Sequence, residues 1–410
     1  MAQTLLVQLD PTAINWLYYF CFRRIATPGR NPMHVPTRAR LCGASRLGFT
    51  ILDRPRLSVL LVNYQRWDDT ARLVRQLSHS DAFRCGQAEV VVVDNASSHH
   101  PAVDHLRATP GVSLVRWRIN RGFAVAVNEA ARMARGDYLL LLNPDMTARA
   151  DFLDNVLDRV DAIVRVRPHA GLVGFRLSHS DGSAQLSTGQ FPTLTASLSR
   201  LLLPRHIRKY THPVGNGVQP VDWVTGCCLL ARRDCWNDLG GFDPMFFLYY
   251  EDVDLCKRAH QRGWSVWYDP GACLVHHRPL HARDVPPHLR LVTRHALLTY
   301  AAKHWNRLEW QFLGGVVRAE AVARALAARL RGDFYSTEVF SEMGLLADDM
   351  CAGRTATARQ RLVSVVREQE RRDVVPAVSR RSQPQSSRPV TQLPIEHHTP
   401  LPAEHPMAGR

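Results

Sequence analysis

Short apolar runs alternate with amphipathic segments in the first half of the chain. Four runs have the length and the aliphatic, often β-branched, composition of buried strands: LSVLLV (57–62), VVVV (90–93), VSLV (112–115) and YLLLL (138–142). Segments with helical spacing lie between or after them, at 69–78, 101–108, 123–134 and 152–164, and a further strand is predicted at 171–175. This alternation predicts an α/β fold with a Rossmann-like, mostly parallel sheet flanked by helices.

The pattern is less regular after residue 176. We predict a hairpin and mobile loops near an acceptor site over 176–220, two strands around 223–231, and a helix over 251–262 that ends at Gly263. The runs WSVWY and ACLVHH flank Asp269-Pro270-Gly271, which predicts a hairpin with its turn at these three residues.

Changes in composition divide the chain into four parts. Residues 1–56 form a weakly ordered extension rich in Arg and Pro, and 57–285 form the α/β domain. Residues 286–375 are predicted to form basic amphipathic helices, which either pack on the domain or lie on an anionic membrane surface. Residues 376–410 are rich in Pro, Ser, Arg and His, which predicts a disordered tail.

The charge and the cysteines restrict the function further. The formal net charge of +15 favours anionic partners. Because no helix-turn-helix, RNP or zinc motif is present, we expect no nucleic acid among them. Nine irregularly spaced cysteines favour a reducing compartment, and no apolar stretch reaches about 18 residues. We therefore expect a cytoplasmic protein, with peripheral association on the cytoplasmic face of the membrane.

Polar residues follow four of the predicted strands, at the sheet edge where open parallel sheets bind ligands. They are Asn63, Asp94, Asn95, Asn120, Asn143 and Asp145. Asn and Asp also favour turns, so each residue alone has a purely structural interpretation.

A divalent metal is predicted because no glycine-rich phosphate loop follows the first strand. The charge of a diphosphate must then be met by other means, and a cation held by Asp145 is one solution. His276 and His277 are the candidates for the second ligand. Because neighbouring strand residues point to opposite faces, only one of the two can reach the site. We favour His276.

The segment FFLYYEDVDLCKRAHQRG (246–263) holds the densest cluster of carboxylates. Asp252 is the candidate general base, and an N-cap at the helix start is its structural alternative. Asp254 and Arg258 stand at i and i+4, which predicts an ion pair.

These residues resemble glycosyltransferase family 2 of the GT-A fold, in particular its rhamnosyltransferase-like branch. Six segments carry the resemblance in the family's order across about 57–280: LSVLLVNYQR, VVVVDNASS, NRGFAVAVNEA, YLLLLNPDM, WVTGCCLLARR and GGFDPMFFLYYEDVDLCKR.

The resemblance implies roles for individual residues. It implies that Asp94 binds the nucleotide base and ribose, that Asp145 and His276 bind Mg²⁺ or Mn²⁺, and that Asp252 is the catalytic base. The remaining residues are expected on the donor side (Asn63, Asn95, Asn120, Gly122, Asn143) and on the acceptor side (Trp223, Gly226, Glu251). The chain departs from the family pattern after His276, where it reads His277-Arg278-Pro279.

The implied function is inverting transfer of a sugar, rhamnose by resemblance, from a nucleotide diphosphate donor to an acceptor hydroxyl. The acceptor would be a saccharide, lipid-linked or part of a cell-surface polysaccharide. The alternative is a non-catalytic protein of the same fold that binds nucleotide sugars or the membrane surface.

Overall fold

The computed structural model describes residues 54–202, 217–278 and 285–374. The predicted tail and nearly all of the predicted N-terminal extension lie outside the described residues. Twelve strands are formed in the described part of the chain. They are β1 (Leu57–Asn63), β2 (Ala88–Asn95), β3 (Val112–Trp117), β4 (Tyr138–Leu142), β5 (Met146–Thr147), β6 (Ala170–Ser178), β7 (Ala184–Gln185), β8 (Thr188–Gly189), β9 (Gln219–Pro220), β10 (Trp223–Val224), β11 (Cys228–Arg232) and β12 (Ser265–His276).

Twelve helices are described with these strands. They are α1 (Trp67–Leu77), α2 (Asp81–Arg84), α3 (Ala102–Ala108), α4 (Phe123–Met133), α5 (Phe152–Val166), α6 (Leu194–Leu202), α7 (Arg233–Leu239), α8 (Glu251–Gln261), α9 (Pro287–His304), α10 (Arg307–Leu330), α11 (Phe334–Cys351) and α12 (Thr355–Val374).

The main sheet is mixed and largely parallel, in the order β3-β2-β1-β4-β11-β6-β12-β5. Strands β3, β2, β1 and β4 are parallel, as the alternation of strand and helix predicts. Strand β11 is antiparallel to both of its neighbours, β4 and β6. The predicted α/β class with flanking helices is confirmed.

Both faces of the sheet are covered by helices, because successive strand residues point to opposite sides. In β1, Leu57, Val59 and Leu61 pack into one apolar cluster with residues of α1, α3 and α5. Leu60 and Val62 pack into a second cluster with residues of α4, α7 and α8. This two-sided burial explains why β1 and β2 read as continuous apolar runs.

The predicted hairpin at residues 264–277 is wrong. Strand β12 runs continuously from Ser265 to His276 and pairs in parallel with β6 on both sides of Asp269-Pro270-Gly271. Asp269 pairs with Phe175 and Cys273 with the next residue, Arg176, so the intervening residues form a bulge. Asp269 fixes the bulge by accepting hydrogen bonds from Gly271 N (2.8 Å) and from Arg159 Nε (2.7 Å). A turn-like sequence therefore forms a bulge when the segments on both sides of it pair with the same neighbouring strand.

The strands around 223–231 are also arranged differently from a simple pair. Strand β10 pairs with β8 in a separate two-stranded sheet, whereas β11 lies inside the main sheet. The turn between them, at Gly226 and Cys227, is thereby held at the carboxyl end of β4.

Helices α9 to α12 share a third apolar cluster that includes Leu298, Val317, Met343 and Leu362. Phe247, from the segment before α8, packs in the same cluster and joins these helices to the sheet domain. None of the described helices is both long enough and apolar enough to cross a membrane.

Candidate active site

A cavity of about 600 Å³ lies at the carboxyl ends of the parallel strands. Eight of the twelve residues predicted for the site line it: Asn95, Asn120, Asn143, Asp145, Gly226, Glu251, Asp252 and His276. The other four are not part of its wall: Asn63, Asp94, Gly122 and Trp223. The structure thus brings both metal candidates and the candidate base to one cleft.

Asp94 and Asn63 support the rim of the cleft from beneath. The Asp94 side chain is fully buried, and its Oδ2 accepts a hydrogen bond from Arg116 Nε at 2.9 Å. Its Oδ1 accepts hydrogen bonds from Asn63 Nδ2 (2.9 Å) and from Ser97 N (3.2 Å). Both carboxylate oxygens are therefore engaged within the protein. The predicted contact of Asp94 with a nucleotide stays a prediction.

Asn95 and Asn120 form the rim itself. Asn95 Nδ2 donates to Asn120 Oδ1 at 2.8 Å, and Gly122 N donates to the same oxygen at 3.0 Å. Gly122 has a φ of 94°, and a Cβ placed on it would lie 2.8 Å from the carbonyl oxygen of Phe247. Glycine is required here by backbone conformation and by this close approach. Its role is to shape the turn that presents Asn120.

Asp145 and His276 face each other across the cavity wall. His276 Nε2 lies 3.5 Å from Asp145 Oδ1, and the His276 side chain is 5% exposed. His277 is directed elsewhere, since its ring nitrogens contact Thr147 Oγ1 (2.7 Å) and Ser180 Oγ (3.2 Å). The geometry favours His276 over His277 as a ligand.

The donor set of this pair fits a divalent cation that is shared with a phosphate-bearing substrate. No group of three or more His, Cys, Asp or Glu residues suited to a metal occurs in the part of the chain that the structure describes. Mg²⁺ is commonly bound in this way, through one or two protein ligands, substrate phosphates and water.

Gln185 orients the candidate histidine ligand. Its Nε2 lies 2.9 Å from His276 Nδ1, and its Oε1 is buried without a hydrogen-bond partner among the described residues. A half-turn of this amide would let Gln185 Oε1 accept a hydrogen bond from His276 Nδ1–H, which would leave the lone pair of His276 Nε2 for a metal. In that orientation Gln185 would be the second hydrogen-bond partner that a metal-bound histidine needs. No sequence motif indicated this residue.

Asp252 lies one residue inside the start of α8 and is not its N-cap, which is Tyr250 in the left-handed conformation (φ 68°). Asp252 is 5% exposed and lines the cavity. Its Oδ2 accepts a hydrogen bond from Gly226 N at 2.8 Å. The neighbouring carbonyl of Cys227 accepts from Asn143 N at 3.1 Å, which ties the end of β4 to the same turn.

Asp254 has the predicted structural role. Its Oδ2 accepts from Arg258 Nε at 2.8 Å, which confirms the predicted ion pair, and its Oδ1 contacts His304 Nε2 (2.9 Å) and Lys303 Nζ (2.8 Å). Burial raises the pKa of Asp254, but His304, Arg258 and Lys303 together outweigh it and lower the pKa to about 2. Asp254 therefore stays ionised and joins α8 to the end of α9.

The predicted acceptor-side residues have different environments. Trp223 is 1% exposed, belongs to the sheet core and donates from Nε1 to the carbonyl of Gln190 at 2.9 Å. Glu251 is 4% exposed and lines the cavity with Gly226. Trp223 can therefore affect an acceptor only through the residues packed on it.

Several cavity residues come from positions that the sequence analysis did not select. Arg66 and Arg278 line the cavity, and each has a guanidinium nitrogen 3.8 to 3.9 Å from Asp69 Oδ2. Tyr64 lines it directly after Asn63, and Glu370 reaches it from α12. Tyr64, Arg66 and Arg278 lie close in sequence to a predicted motif, which is the only sequence signal for them. Nothing in the sequence indicates Glu370.

The chain is similar in sequence to known glycosyltransferases. Residues 58–234 match the model of glycosyl transferase family 2. An N-acetylglucosaminyl-diphospho-decaprenol L-rhamnosyltransferase of Mycobacterium tuberculosis is 28% identical over 299 residues, which cover 67% of this chain and 95% of that protein. Rhamnosyltransferase WbbL of Escherichia coli is 26% identical over 228 residues, which cover 53% of this chain and 82% of WbbL.

Among solved structures, a mannosyltransferase of Pyrobaculum calidifontis in complex with GDP-Man and Mn²⁺ aligns with a TM-score of 0.43 and 19% identity. The alignment covers 77% of this chain and 87% of the other. In this chain the sheet is mixed, helices flank it, and the cleft lies at its strand ends. The match to glycosyltransferase family 2 covers residues 58–234, and the protein is a glycosyltransferase.

Proposed function

We propose that this glycosyltransferase transfers a hexosyl group from a nucleoside diphosphate donor to an acceptor hydroxyl in one displacement that inverts the anomeric centre. The observation that carries the proposal is the presence of Asp252, Asp145 and His276 in the wall of one cavity. A single displacement needs one base on the acceptor side and charge neutralisation on the leaving-group side.

Asp252 is the base in this proposal. Gly226 N donates to Oδ2 and Val253 N donates to Oδ1, both at 2.8 Å. Each oxygen keeps a second lone pair that can accept the proton of an acceptor hydroxyl. As the proton moves to Asp252, the hydroxyl oxygen bonds to the anomeric carbon and the bond from that carbon to the diphosphate oxygen breaks. The nucleoside diphosphate leaves with the electron pair of the broken bond.

Asp145 and His276 are proposed to hold Mg²⁺ or Mn²⁺, which would neutralise charge on the departing diphosphate. Arg66 and Arg278 add positive charge to the same cavity. The donor nucleoside is proposed to lie toward Asn95 and Asn120.

The sugar is proposed to be rhamnose, carried by deoxythymidine diphosphate. The names of the relatives from M. tuberculosis and E. coli support rhamnose. A lipid-linked saccharide is the proposed acceptor, since the M. tuberculosis relative is named for a diphospho-decaprenol acceptor.

The outer face of α10 supports a lipid-linked acceptor. Five of its apolar side chains are between 57% and 81% exposed: Leu308, Phe312, Val322, Leu326 and Leu330. Exposed arginines, Arg307, Arg318 and Arg329, occur along the same helix. An apolar helix face accompanied by arginines fits an anionic membrane surface, and we propose that α10 docks there peripherally.

The test is a donor panel offered to the full-length protein with Mn²⁺, with Mg²⁺ and with EDTA. Binding is measured by thermal shift, and transfer to lipid-linked and soluble saccharides is measured by mass spectrometry. We expect deoxythymidine-diphospho-rhamnose to stabilise the protein and to be consumed only with metal. Donor binding without transfer to any acceptor would favour the non-catalytic alternative.

A further inference from the structure

The last described helix, α12, reaches the donor half of the cleft from more than a hundred residues beyond the family match. Four of its residues line the cavity: Val366, Gln369, Glu370 and Asp373. Glu370 makes the most specific contacts, since its Oε1 accepts hydrogen bonds from Tyr64 OH and from Asn120 Nδ2, both at 2.8 Å. These contacts join the C-terminal helix to the loops after β1 and β3.

The contact with Asn120 fixes the orientation of its side chain. Asn120 Oδ1 already accepts from Asn95 Nδ2 and Gly122 N, so its Nδ2 must donate in the opposite direction. Glu370 is the acceptor in that direction. Asn95, Asn120, Glu370 and Tyr64 therefore form one continuous hydrogen-bonded chain along the rim.

The contact with Tyr64 fixes a second polar group. Burial raises the pKa of Tyr64, and the hydrogen bond and negative charge of Glu370 raise it further. The tyrosine hydroxyl therefore stays protonated and donates to the carboxylate. Glu370 Oε2 has no hydrogen bond within the described residues, so the carboxylate keeps acceptor capacity at the cavity wall.

The place of this chain in the sheet suggests which part of the donor it serves. Asn120 follows β3, which is separated from β4 by β2 and β1, and β4 leads to Asp145. At about 4.8 Å per strand these ends are about 14 Å apart, the scale of a nucleoside diphosphate. A carboxylate at the β3 end disfavours phosphate there and suits neutral, hydroxyl-bearing groups.

We propose that Glu370 is a positioning residue that holds Asn120 and Tyr64 ready for the nucleoside part of the donor. This inference rests on the proposed function, because it assumes a nucleoside diphosphate donor. It makes α12 part of the donor site, although the helix lies outside the segments that resemble the family.

The experiment compares full-length wild type, Glu370→Ala and Glu370→Gln, with Glu368→Gln as the matched control. Glu368 lies two residues earlier on the same helix. It forms ion pairs with Arg371 and Arg372 and does not line the cleft. The dissociation constants of deoxythymidine diphosphate and UDP are measured by calorimetry, and donor KM and kcat are measured for transfer. Thermal unfolding checks that each variant is folded.

We expect Glu370→Ala to raise the dissociation constant and donor KM about tenfold, with kcat changed less than twofold. Glu370→Gln keeps an acceptor oxygen, so it should raise the dissociation constant and donor KM only about threefold. Glu368→Gln should have wild-type values. In an Asn120→Ala background, Glu370→Ala should raise the dissociation constant by much less than tenfold, because the two side chains act through one contact.

Two results would overturn the inference alone while wild type binds nucleotide. One is an unchanged dissociation constant in Glu370→Ala, and the other is tighter binding, which would show that the carboxylate obstructs the donor. If wild type binds neither nucleotide, the proposed donor class fails and this inference fails with it.

Discussion

Asp252 Oδ2 and the backbone N–H of Gly226 are joined by a 2.8 Å hydrogen bond between residues 26 positions apart in the chain. The contact sets the carboxylate at the start of α8 against the turn between β10 and β11. Because the same turn is bonded to Asn143 through Cys227, the candidate base is positioned relative to the end of β4. The candidate base and the end of β4 therefore share one backbone support.

Replacement of the candidate base should separate binding from chemistry. Asp252→Asn keeps an oxygen that can accept from Gly226 N, so the fold and donor affinity should be retained. The rate of transfer should fall by about 10² to 10⁴, since the amide cannot take a proton. Single-turnover kinetics with a parallel donor titration measure both quantities. Transfer at the wild-type rate would refute the role of Asp252.

Loss of either metal candidate should weaken cation binding. We expect Asp145→Asn and His276→Ala each to raise the Mn²⁺ dissociation constant, measured in the presence of nucleoside diphosphate, by at least about tenfold. Paramagnetic resonance of free Mn²⁺ gives this constant without an activity assay. His277→Ala is the control, because His277 contacts Thr147 and Ser180. An effect of His277→Ala as large as that of His276→Ala would contradict the assignment.

The turn before α4 should not tolerate a side chain. Gly122→Ala combines a φ of 94° with a Cβ 2.8 Å from Phe247 O, so we expect it to destabilise the protein by about 2 kcal/mol or more. Gly86→Ala is the matched control, with a φ of 73° and no atom within 4 Å of the new Cβ. Its cost should be about 1 kcal/mol. Urea unfolding compares the two; equal losses would show that the close contact with Phe247 carries no cost.

The ionised Asp254 should contribute stability that depends on pH. Its pKa is lowered to about 2 in the folded protein, against about 3.9 for an unfolded aspartate. The contribution is therefore complete above about pH 4 and is lost as the pH falls toward 2. We expect Asp254→Asn to lower the free energy of unfolding by about 2 to 3 kcal/mol at pH 7. In urea titrations, the difference in the free energy of unfolding between the variant and wild type should shrink between pH 4 and pH 2. A difference that stays constant over this range would contradict the role of ionised Asp254.

The outer face of α10 should determine membrane association. Leu326→Glu with Leu330→Glu places two carboxylates on the exposed apolar face, and we expect loss of flotation with vesicles containing anionic lipid. Val166→Glu is the control, since Val166 is an exposed apolar residue (70%) on α5. Wild-type protein that does not float with anionic vesicles would contradict the proposed docking.

The candidate site was predictable where its residues follow strands with a strong local pattern. Asn95 ends β2, Asn120 comes three residues after β3, and Asn143 and Asp145 follow β4, so the sheet edge brings them together. The same reasoning selected Asp94, whose side chain is fully buried and is not part of the cavity wall, so its contact with a nucleotide stays a prediction. Position at a strand end predicts nearness to the cleft, but the direction of one side chain depends on its partners.

By itself the sequence determined the parallel strands, most of the helices and the sheet edge that carries the chemistry, because these follow from local periodicity and from burial on both faces. Only the tertiary structure decided that β12 is one bulged strand, since a turn sequence does not specify which strand its flanks will pair with. It likewise brought Gln185 to His276 and Glu370 to Asn120. These contacts join residues 91 and 250 positions apart, and no pattern within a single segment encodes them.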